Sequence, residues 1–145
     1  MHAIHITSPS TEEEFKQYYH LRWKLLRAPW NEPEGSEKDD AEADSFHVIA
    51  KDGEQIIGVA RLQNITPQQA QVRYMAVNDD YQGHGVGRQI MHHVEAHARK
   101  NGISEIFLHA REPAIPFYEK LGYQHIEKSY LLFNCIQHYK MNKVL

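Results

Sequence analysis

The sequence predicts a mixed α/β (α+β) domain, in which about seven mostly antiparallel strands form one sheet with about four flanking helices. Two observations predict this class. β-rich runs and helical stripes alternate along the chain, in the order β-α-(α)-β-β-β-α-β-α-β-β. The chain has 145 residues, of which 41% are hydrophobic and 24% charged, as in an ordinary soluble domain. We therefore expect a single domain over residues 1–145.

The first part of the chain predicts a strand and then a helix. Residues 2–7 alternate and are typical of a short strand. Ser10 or Thr11, each with a glutamate three residues later, fits the capping box that begins a helix. The helix ends near Pro29, and the polar segment 31–44 has room for one short helix. The helix that begins at this capping box has an apolar stripe of Phe15, Tyr19, Trp23 and Leu26.

The remaining elements follow from turn signals and periodicity. Asp52-Gly53 between two β-rich runs is a strong hairpin signal. Apolar residues four apart predict a helix from about Val86 to Lys100, which Asn101-Gly102 ends. The predicted strands are 46–52, 55–62, 70–77 and 104–109, with two more in 123–143, and a short helix lies near 114–121.

Charge and hydropathy exclude several classes of function. The net charge is −3 and the pI is near 6.4, whereas generic binding to DNA or RNA needs a basic surface. No apolar run approaches the ~18 residues that cross a bilayer, and the N-terminus lacks the pattern of a secretory signal. We expect a cytoplasmic protein that binds neither nucleic acid nor membrane.

The cysteine and histidine content argues against a metal site. Cys135 is the one cysteine, which excludes an intrachain disulfide and a Cys-based zinc site. Its apolar neighbours predict a buried structural thiol. Among 11 histidines, His93 and His97 have the i, i+4 spacing of metal ligands but no HExxH motif. Since they lie opposite the apolar stripe of their helix, we expect exposed side chains and no metal.

A glycine-rich turn between a strand and a helix is the strongest functional signal. Gly83, Gly85 and Gly87 alternate within five residues, more than a plain turn needs. Glycines allow close backbone approach, and the free N–H groups at a helix N-terminus bind phosphate without requiring a basic net charge. The Gly-Lys-Ser/Thr end of a P-loop is absent, and the spacing differs from the G-x-G-x-x-G of a Rossmann turn.

These residues resemble a known family. Gln82-x-x-Gly85-x-Gly87 resembles the Q/R-x-x-G-x-G/A signature of the GCN5-related N-acetyltransferases (GNAT). Residues 75–81 are similar to the family's approach to that loop, without its proline, and 114–123 resemble its A-x-x-F/L-Y-x-x-x-G-F/Y segment. Residues 26–29 and 110–112 are similar to a small bacterial subgroup, some of whose members carry a second, thioesterase-like domain.

The resemblance implies an acetyl-CoA-dependent N-acetyltransferase. Backbone amides of the loop would hold the pyrophosphate, and the pantetheine arm would follow the strand ending at Val77. A bulge there would make a backbone N–H of Ala76 or Val77 an oxyanion donor, and Tyr118 matches the family's general acid. The implied cofactor-binding set is Met75, Ala76, Val77, Gln82, Gly83, His84, Gly85, Val86, Gly87, Arg88, Arg111 and Tyr118.

His84 and Arg111 carry separate expectations. A bound phosphate favours a protonated imidazole, so we expect CoA affinity to rise as the pH falls from about 8 to about 6. Arg111 stands where many relatives have an asparagine that contacts CoA, and it either takes over that contact or leaves it unmade.

The general base is not given by the resemblance. Family members often place it three or five residues before the position of Ala76, where this chain has Arg73 and Gln71. Neither is a base at neutral pH. His47, Glu112 and a water relay are the alternatives.

The acceptor, expected to be a small-molecule or peptide amine, has several candidate contacts. In a regular strand Gln71, Arg73, Met75 and Val77 share a face, which makes Arg73 a candidate for an anionic group on the acceptor or a plain surface residue. Arg27, Trp30 and Gln71 are further candidate contacts.

The segment 32–44 holds seven acids and one lysine. A solvated loop is the favoured interpretation, and attraction of a cationic amine is the alternative. A noncatalytic CoA-binding module and an acyltransferase for longer acyl groups are the alternatives to acetyl transfer. A homodimer is what the resemblance suggests for assembly.

Overall fold

A seven-stranded mixed sheet with α-helices forms the structure, as the sequence predicts. The computed structural model describes residues 3–145, so the first residue of the predicted strand 2–7 lies outside it. The strands hydrogen-bond in the order β1-β2-β3-β4-β5-β7-β6. They are β1 (Ile4–Thr7), β2 (Phe46–Asp52), β3 (Gln55–Asn64), β4 (Gln69–Val77), β5 (Glu105–Arg111), β6 (Gln124–Leu132) and β7 (Ile136–Val144).

Within the described residues there are three α-helices, where about four helices were expected. They are α1 (Glu12–Leu26), α2 (Val86–Lys100) and α3 (Ile115–Lys120). Single 3₁₀ turns take the place of the remaining helix, at Ala28–Trp30, Glu42–Asp44, Asp79–Tyr81 and Glu112–Ala114. No helix in residues 3–145 combines the length and the apolar character that crossing a bilayer requires.

The chain forms two compact units. The first unit comprises the residues up to Gln63 together with Tyr74–Val94, and the second comprises Asn64–Arg73 and Glu95–Leu145. Strand β4 and helix α2 therefore each contribute to both units. The single-domain prediction for residues 1–145 stays a prediction.

The first unit contains strands β1 to β3 and helix α1. β1 pairs antiparallel with β2, and β2 with β3 through the turn predicted at Asp52-Gly53. Gly58 of β3 lets helix α2 approach closely, because a Cβ there would lie 2.8 Å from Ile90 Cδ1. The core cluster consists of Tyr18, Leu21, Ile49, Ile56 and Val59.

Helix α1 begins with a variant of the predicted capping box. Thr11 is the N-cap and its hydroxyl accepts a hydrogen bond from Glu14 N at 3.0 Å. Glu14 reaches back one residue further than expected and accepts from Ser10 N and Oγ, at 2.9 and 3.0 Å. Its other oxygen accepts from Lys51 Nζ at 2.9 Å. The cap therefore also attaches α1 to β2.

The second unit contains the first half of β4 together with β5, β6 and β7. The first half of β4 pairs parallel with β5, from Gln69↔Glu105 to Val72↔Leu108. β7 pairs antiparallel with both β5 and β6. The last turns of α2 add Glu95, which is buried and accepts from Tyr123 Oη at 2.9 Å and from Lys143 Nζ at 2.8 Å.

Two expectations about side-chain exposure were wrong. Cys135 is exposed, not buried. Its apolar run is interrupted by the β6–β7 turn, where Phe133 and Asn134 adopt left-handed backbone conformations, so the thiol falls outside the strands. His93 and His97 are both half-buried rather than exposed, and the ring of His93 stacks on Phe46 at a centroid distance of 6.0 Å.

Candidate active site

The glycine-rich turn adopts the open conformation that its sequence predicts. Gly83 and Gly85 have φ angles of +80° and +77°, a region that other residues rarely adopt. A Cβ at either position would meet no atom within 4 Å outside the adjoining residues. The side chains of Gln82, His84 and Arg88 are exposed around them. Backbone conformation is thus the reason for glycine here, and the loop surface is accessible.

Helix α2 presents free amides next to this turn. The first hydrogen bond of the helix runs from Gln89 N to Gly85 O at 3.1 Å. The N–H groups of Val86, Gly87 and Arg88 consequently have no intrahelical acceptor. They lie at the positive end of the helix dipole. This arrangement can bind an anion such as a pyrophosphate.

The turn is held in place by hydrogen bonds to the neighbouring strands. Gln82 Nε2 donates to Val77 O at 3.0 Å, so this side chain anchors the loop to the end of β4. Asn78 N donates to Ile57 O at 2.8 Å, and the Asn78 side chain accepts from Asp80 N. Tyr81 Oη donates to Asp52 Oδ2. The loop is therefore a defined structure on the first unit.

Strand β4 has a left-handed residue at its centre. Tyr74 has a φ angle of +57°, although it lies within the strand. The pairing of β4 with β5 ends at Val72, just before it. Regular alternation therefore stops at Tyr74, and the expectation that Gln71 and Arg73 share one face with Met75 and Val77 does not carry past this residue.

Tyr118 is buried on helix α3 in the second unit. Its side chain is 7% exposed and packs edge-on against the rings of Phe117 and Tyr123. Burial raises the pKa of Tyr118 above its usual value, and the nearby charge of Arg111 opposes that shift. The hydroxyl is therefore protonated at neutral pH and can act as a proton donor. Arg111 itself is exposed at the end of β5.

The side chain of His109 is a feature that the sequence did not single out. It lies on β5, with its ring 6.0 Å from Phe107 and 5.3 Å from Tyr130. Its Nδ1 is buried and has no hydrogen-bond partner in the described part of the chain. Burial lowers the pKa of His109, as do the charges of Lys140 and Arg73, whereas Glu127 opposes them. The imidazole is therefore biased towards its neutral form.

The two predicted general-base candidates differ in environment. His47 is buried, and both ring nitrogens are engaged, Nδ1 with Tyr18 Oη at 2.8 Å and Nε2 with Glu42 O at 2.7 Å. Its imidazole has no free lone pair for a substrate proton. Glu112 is exposed in the 3₁₀ turn before α3. Glu112 and a water relay remain as alternatives for the general base, and His109 is a further candidate.

Part of the acidic segment is not a solvated loop, contrary to the favoured interpretation. Asp39 and Glu42 turn inward and accept hydrogen bonds from Arg61, at 2.6 to 3.0 Å. Glu42 also accepts from Arg22 Nη1 at 2.8 Å. Both arginine side chains are fully buried. Glu37 is buried as well and accepts from Gly35 N. No local pattern in the sequence indicates these ion pairs, because the partners lie far apart along the chain.

The two remaining acceptor candidates lie after helix α1. Arg27 donates from Nε to Ser36 O at 3.2 Å and from Nη1 to Leu26 O at 3.0 Å, so it fastens the helix end to the following loop. Trp30 is half-buried in the 3₁₀ turn Ala28–Trp30. The contacts of Arg27 within the first unit account for its position, and Trp30 N donates to Arg27 O at 3.0 Å.

A groove of about 990 Å³ lies along α1. Ligand pockets commonly measure about 300–1,000 Å³, so it has room for a small molecule. Lys38 Nζ lies 4.4 Å from the Tyr19 ring centroid at this surface. The lining combines both charge signs with aromatic side chains and includes Tyr19, Trp23, Lys24, Glu37, Lys38 and Ile56. The groove can therefore accept a polar, amphipathic molecule.

Sequence comparison assigns the family. The profile of the acetyltransferase (GNAT) family matches residues 15–123. The chain belongs to this family. The chain is also similar to the uncharacterised N-acetyltransferase YjcF of Bacillus subtilis, with 30% identity over 132 residues, which cover 91% of this chain and 94% of that protein.

Solved structures agree with this GNAT assignment at the level of the fold. A Lactobacillus plantarum protein superposes with a TM-score of 0.86 at 22% identity, covering 99% of both chains. Escherichia coli ElaA gives a TM-score of 0.82 at 17% identity, again covering 99% of both. An aminoglycoside 6′-N-acetyltransferase complexed with coenzyme A gives 0.76 at 16% identity, with 97% of this chain and 96% of that chain covered.

Proposed function

We propose that this GNAT protein transfers an acetyl group from acetyl-CoA to a primary amine by direct attack. The observation that carries the proposal is the open glycine-rich turn at the N-terminus of α2, with Gly83 and Gly85 in left-handed conformations. Its free amides suit a pyrophosphate. The coenzyme A bound to an aminoglycoside acetyltransferase of the same fold gives further support.

The proposed cofactor site uses backbone more than side chains. Amides from Gly83 to Arg88 hold the pyrophosphate. The pantetheine arm pairs with β4 over Met75–Val77, as an added strand would. A backbone N–H of Ala76 or Val77 donates to the thioester oxygen as negative charge develops on it. Arg111, whose charge opposes the rise in the pKa of Tyr118, contributes a positive charge.

The chemistry requires two proton movements. The nitrogen of the neutral amine attacks the thioester carbon, and the C–S bond breaks as the intermediate collapses. Tyr118 gives its phenolic proton to the leaving thiolate, because its hydroxyl stays protonated at neutral pH. The attacking nitrogen loses its proton to a base, for which His109 is our candidate because its imidazole is held neutral.

The acceptor is proposed to be a small-molecule or peptide amine. Arg73 and Gln71 on β4 are proposed to meet the acceptor, with Arg73 binding an anionic group on it, and Arg27 and Trp30 are proposed to border the acceptor from the loop after α1.

The experiment that tests the function is thiol release from acetyl-CoA with panels of amino acids, polyamines, aminoglycosides and peptides. We expect turnover with at least one panel, and Tyr118→Phe to lower kcat at least about tenfold, with little change in the KM for acetyl-CoA. Phe117→Leu is the control, since that residue only packs beside Tyr118. Unchanged turnover in Tyr118→Phe contradicts the acid role, and CoA binding without turnover on any amine supports a noncatalytic module.

A further inference from the structure

A tyrosine in the left-handed region inside a strand is unusual. Four non-glycine residues in the described chain have positive φ, and Asn31, Phe133 and Asn134 lie outside the strands. Tyr74 alone among them lies within one, with a φ of +57°. Such a conformation is unfavourable for a side chain with a Cβ and persists where the surroundings impose it. The surroundings of Tyr74 should therefore show what imposes it.

Two buried guanidinium groups lie against the Tyr74 ring. The Cζ atom of Arg22 is 4.2 Å from the ring centroid, and that of Arg61 is 4.9 Å away. Both arginine side chains are fully buried, where a cation–π interaction is strongest because water does not compete. The Tyr74 hydroxyl donates to Asp39 Oδ2 at 3.4 Å. The ring is therefore held by the two guanidinium groups and, through its hydroxyl, by Asp39.

The guanidinium groups are themselves immobilised. Glu42 bridges them, accepting from Nη1 of Arg22 and Nη1 of Arg61, each at 2.8 Å. Asp39 adds a two-oxygen pair with Arg61, and Arg22 Nη2 donates to Tyr18 Oη at 2.6 Å. Because helix α1, strand β3 and the segment around residue 40 all hold this cluster, the Tyr74 ring has little freedom to turn.

We call the Tyr74 ring and the two guanidinium groups that hold it, those of Arg22 and Arg61, the Tyr74 clamp. This clamp lies next to the part of β4 that the proposed function uses in catalysis. Tyr74 lies two and three residues before Ala76 and Val77, whose amides carry the oxyanion role in the proposed function. A left-handed residue in a strand redirects the backbone groups that follow it. Ala76 packs against the core cluster of the first unit, so the strand beyond Tyr74 is fixed at that point.

We propose that Tyr74 is a positioning residue: Arg22 and Arg61 hold its ring, the ring holds the left-handed backbone of β4, and that backbone aims the amide of Ala76 or Val77 at the thioester oxygen. The inference rests on the proposed function. Tyr74 itself touches no reacting atom in this role. The acidic segment is then part of the catalytic architecture, through Asp39 and Glu42, without contacting substrate.

Substitutions at residue 74 can separate conformation from packing. Tyr74→Gly removes the ring but allows a positive φ, whereas Tyr74→Val keeps more packing but disfavours it. We expect kcat to fall at least about tenfold in Tyr74→Val and clearly less in Tyr74→Gly, with the KM for acetyl-CoA within about threefold of the parent in both. Tyr74→Phe keeps the ring on the guanidinium groups, so we expect kcat within about twofold of the parent.

Whether Tyr74→Gly or Tyr74→Val has the higher kcat decides between a conformational role and a packing role for Tyr74. A role in packing alone predicts that Gly, which fills less space, is worse than Val, and that result would overturn the proposal. Equal loss in Gly and Val, or full activity in Val, also contradicts it. Thermal unfolding of each variant shows whether it is folded, and only folded variants enter the comparison.

A second readout does not depend on turnover. The HN–Hα coupling of residue 74 in isotope-labelled protein should report a positive φ in the parent and in Tyr74→Phe, and an extended φ in Tyr74→Val. An extended φ in the parent refutes the clamp directly. If the parent shows the positive φ but transfers no acetyl group to any amine, the proposed function fails and the catalytic part of this inference fails with it, while the clamp stands.

Discussion

Burial favours the neutral form of two single side chains, Tyr118 and His109. Desolvation raises the pKa of the Tyr118 hydroxyl and lowers that of the His109 imidazole, because in both cases it disfavours the charged form. Both side chains are therefore neutral at neutral pH, so the phenol still carries its proton and the imidazole still has a lone pair, as the proposed roles of donor and acceptor require. Both belong to the second unit.

His109→Gln tests the acceptor role. We expect kcat to fall at least about tenfold, and the acid limb of its pH profile to disappear. In the parent that limb should lie below the ordinary histidine pKa of 6.5, because burial, Lys140 and Arg73 lower the pKa of His109 more than Glu127 raises it. The measurement is kcat between about pH 5 and about pH 8.

Lys140→Met is the matched variant for this prediction. Lys140 lies over the Phe107 ring at 4.9 Å and acts on His109 through its charge. Removing that charge should move the acid limb to higher pH without abolishing it. A limb that stays in place in both variants belongs to another group and contradicts the assignment.

At the scale of single elements, the start of α1 shows how a local motif gains a long-range partner. The capping box was predictable from Ser10 to Glu14, since helix capping depends on residues close in sequence. The hydrogen bond from Lys51 to Glu14 was not, because strand β2 lies 37 residues further along the chain. Together these bonds lower the pKa of Glu14 to about 2, with Lys51 as the largest cause and Ser10 the next.

Glu14→Gln should make stability less dependent on pH in acid. A pKa depressed below the unfolded value of 4.5 stabilises the fold above pH 4.5, and that stabilisation is lost as the pH falls towards 2. Urea unfolding midpoints of the parent should therefore drop over this interval more than those of the variant. The variant should also be less stable than the parent at pH 7.

Glu13→Gln is the control in the same helical turn. Glu13 is exposed and accepts a hydrogen bond from Gln17 Nε2 at 3.2 Å. Its substitution should leave the pH dependence of unfolding close to that of the parent. An equal flattening in both variants would assign the effect to the helix dipole rather than to the Ser10–Glu14–Lys51 contacts.

For the whole molecule, the net charge of −3 hides an uneven distribution. Residues 32–44 contribute −7 + 1 = −6, so the rest of the chain carries +3 with histidines neutral. The structure shows that part of this acidic charge is neutralised internally, by Arg22 and Arg61. The proposed anion site lies elsewhere and uses backbone amides, so the overall sign of charge does not oppose a polyanionic cofactor.

Coenzyme A should stabilise the fold against unfolding if the glycine-rich turn binds it. At a concentration about 100 times Kd the expected gain is about 2.7 kcal/mol, seen as a rise in Tm. Gly85→Val should remove most of the shift, because valine disfavours the φ of +77° at that position. Gly35→Val, at a positive φ outside this turn, controls for loss of stability alone. An unchanged shift in Gly85→Val would place CoA elsewhere.

Much of the fold followed from the sequence because its signals are local. Alternation, apolar spacing and the turn at Asp52-Gly53 predicted the seven strands and the helices α1, α2 and α3 within a few residues. The glycine-rich turn was equally readable, since positive φ angles and a following helix depend on neighbouring residues. The same motifs indicated the GNAT family, which the family match to residues 15–123 shows.

What the sequence by itself determined is therefore the order of elements, the loop that suits a pyrophosphate, and the identity of Tyr118 as the proton-donor candidate. Only the tertiary structure decided that Asp39 and Glu42 turn onto two buried arginines, that Tyr74 takes a left-handed backbone beside them, and that Nδ1 of His109 is buried without a hydrogen-bond partner among the described residues. The physical reason is distance along the chain. Burial, pKa shifts and ion pairs depend on partners brought together by folding, and no local pattern encodes them.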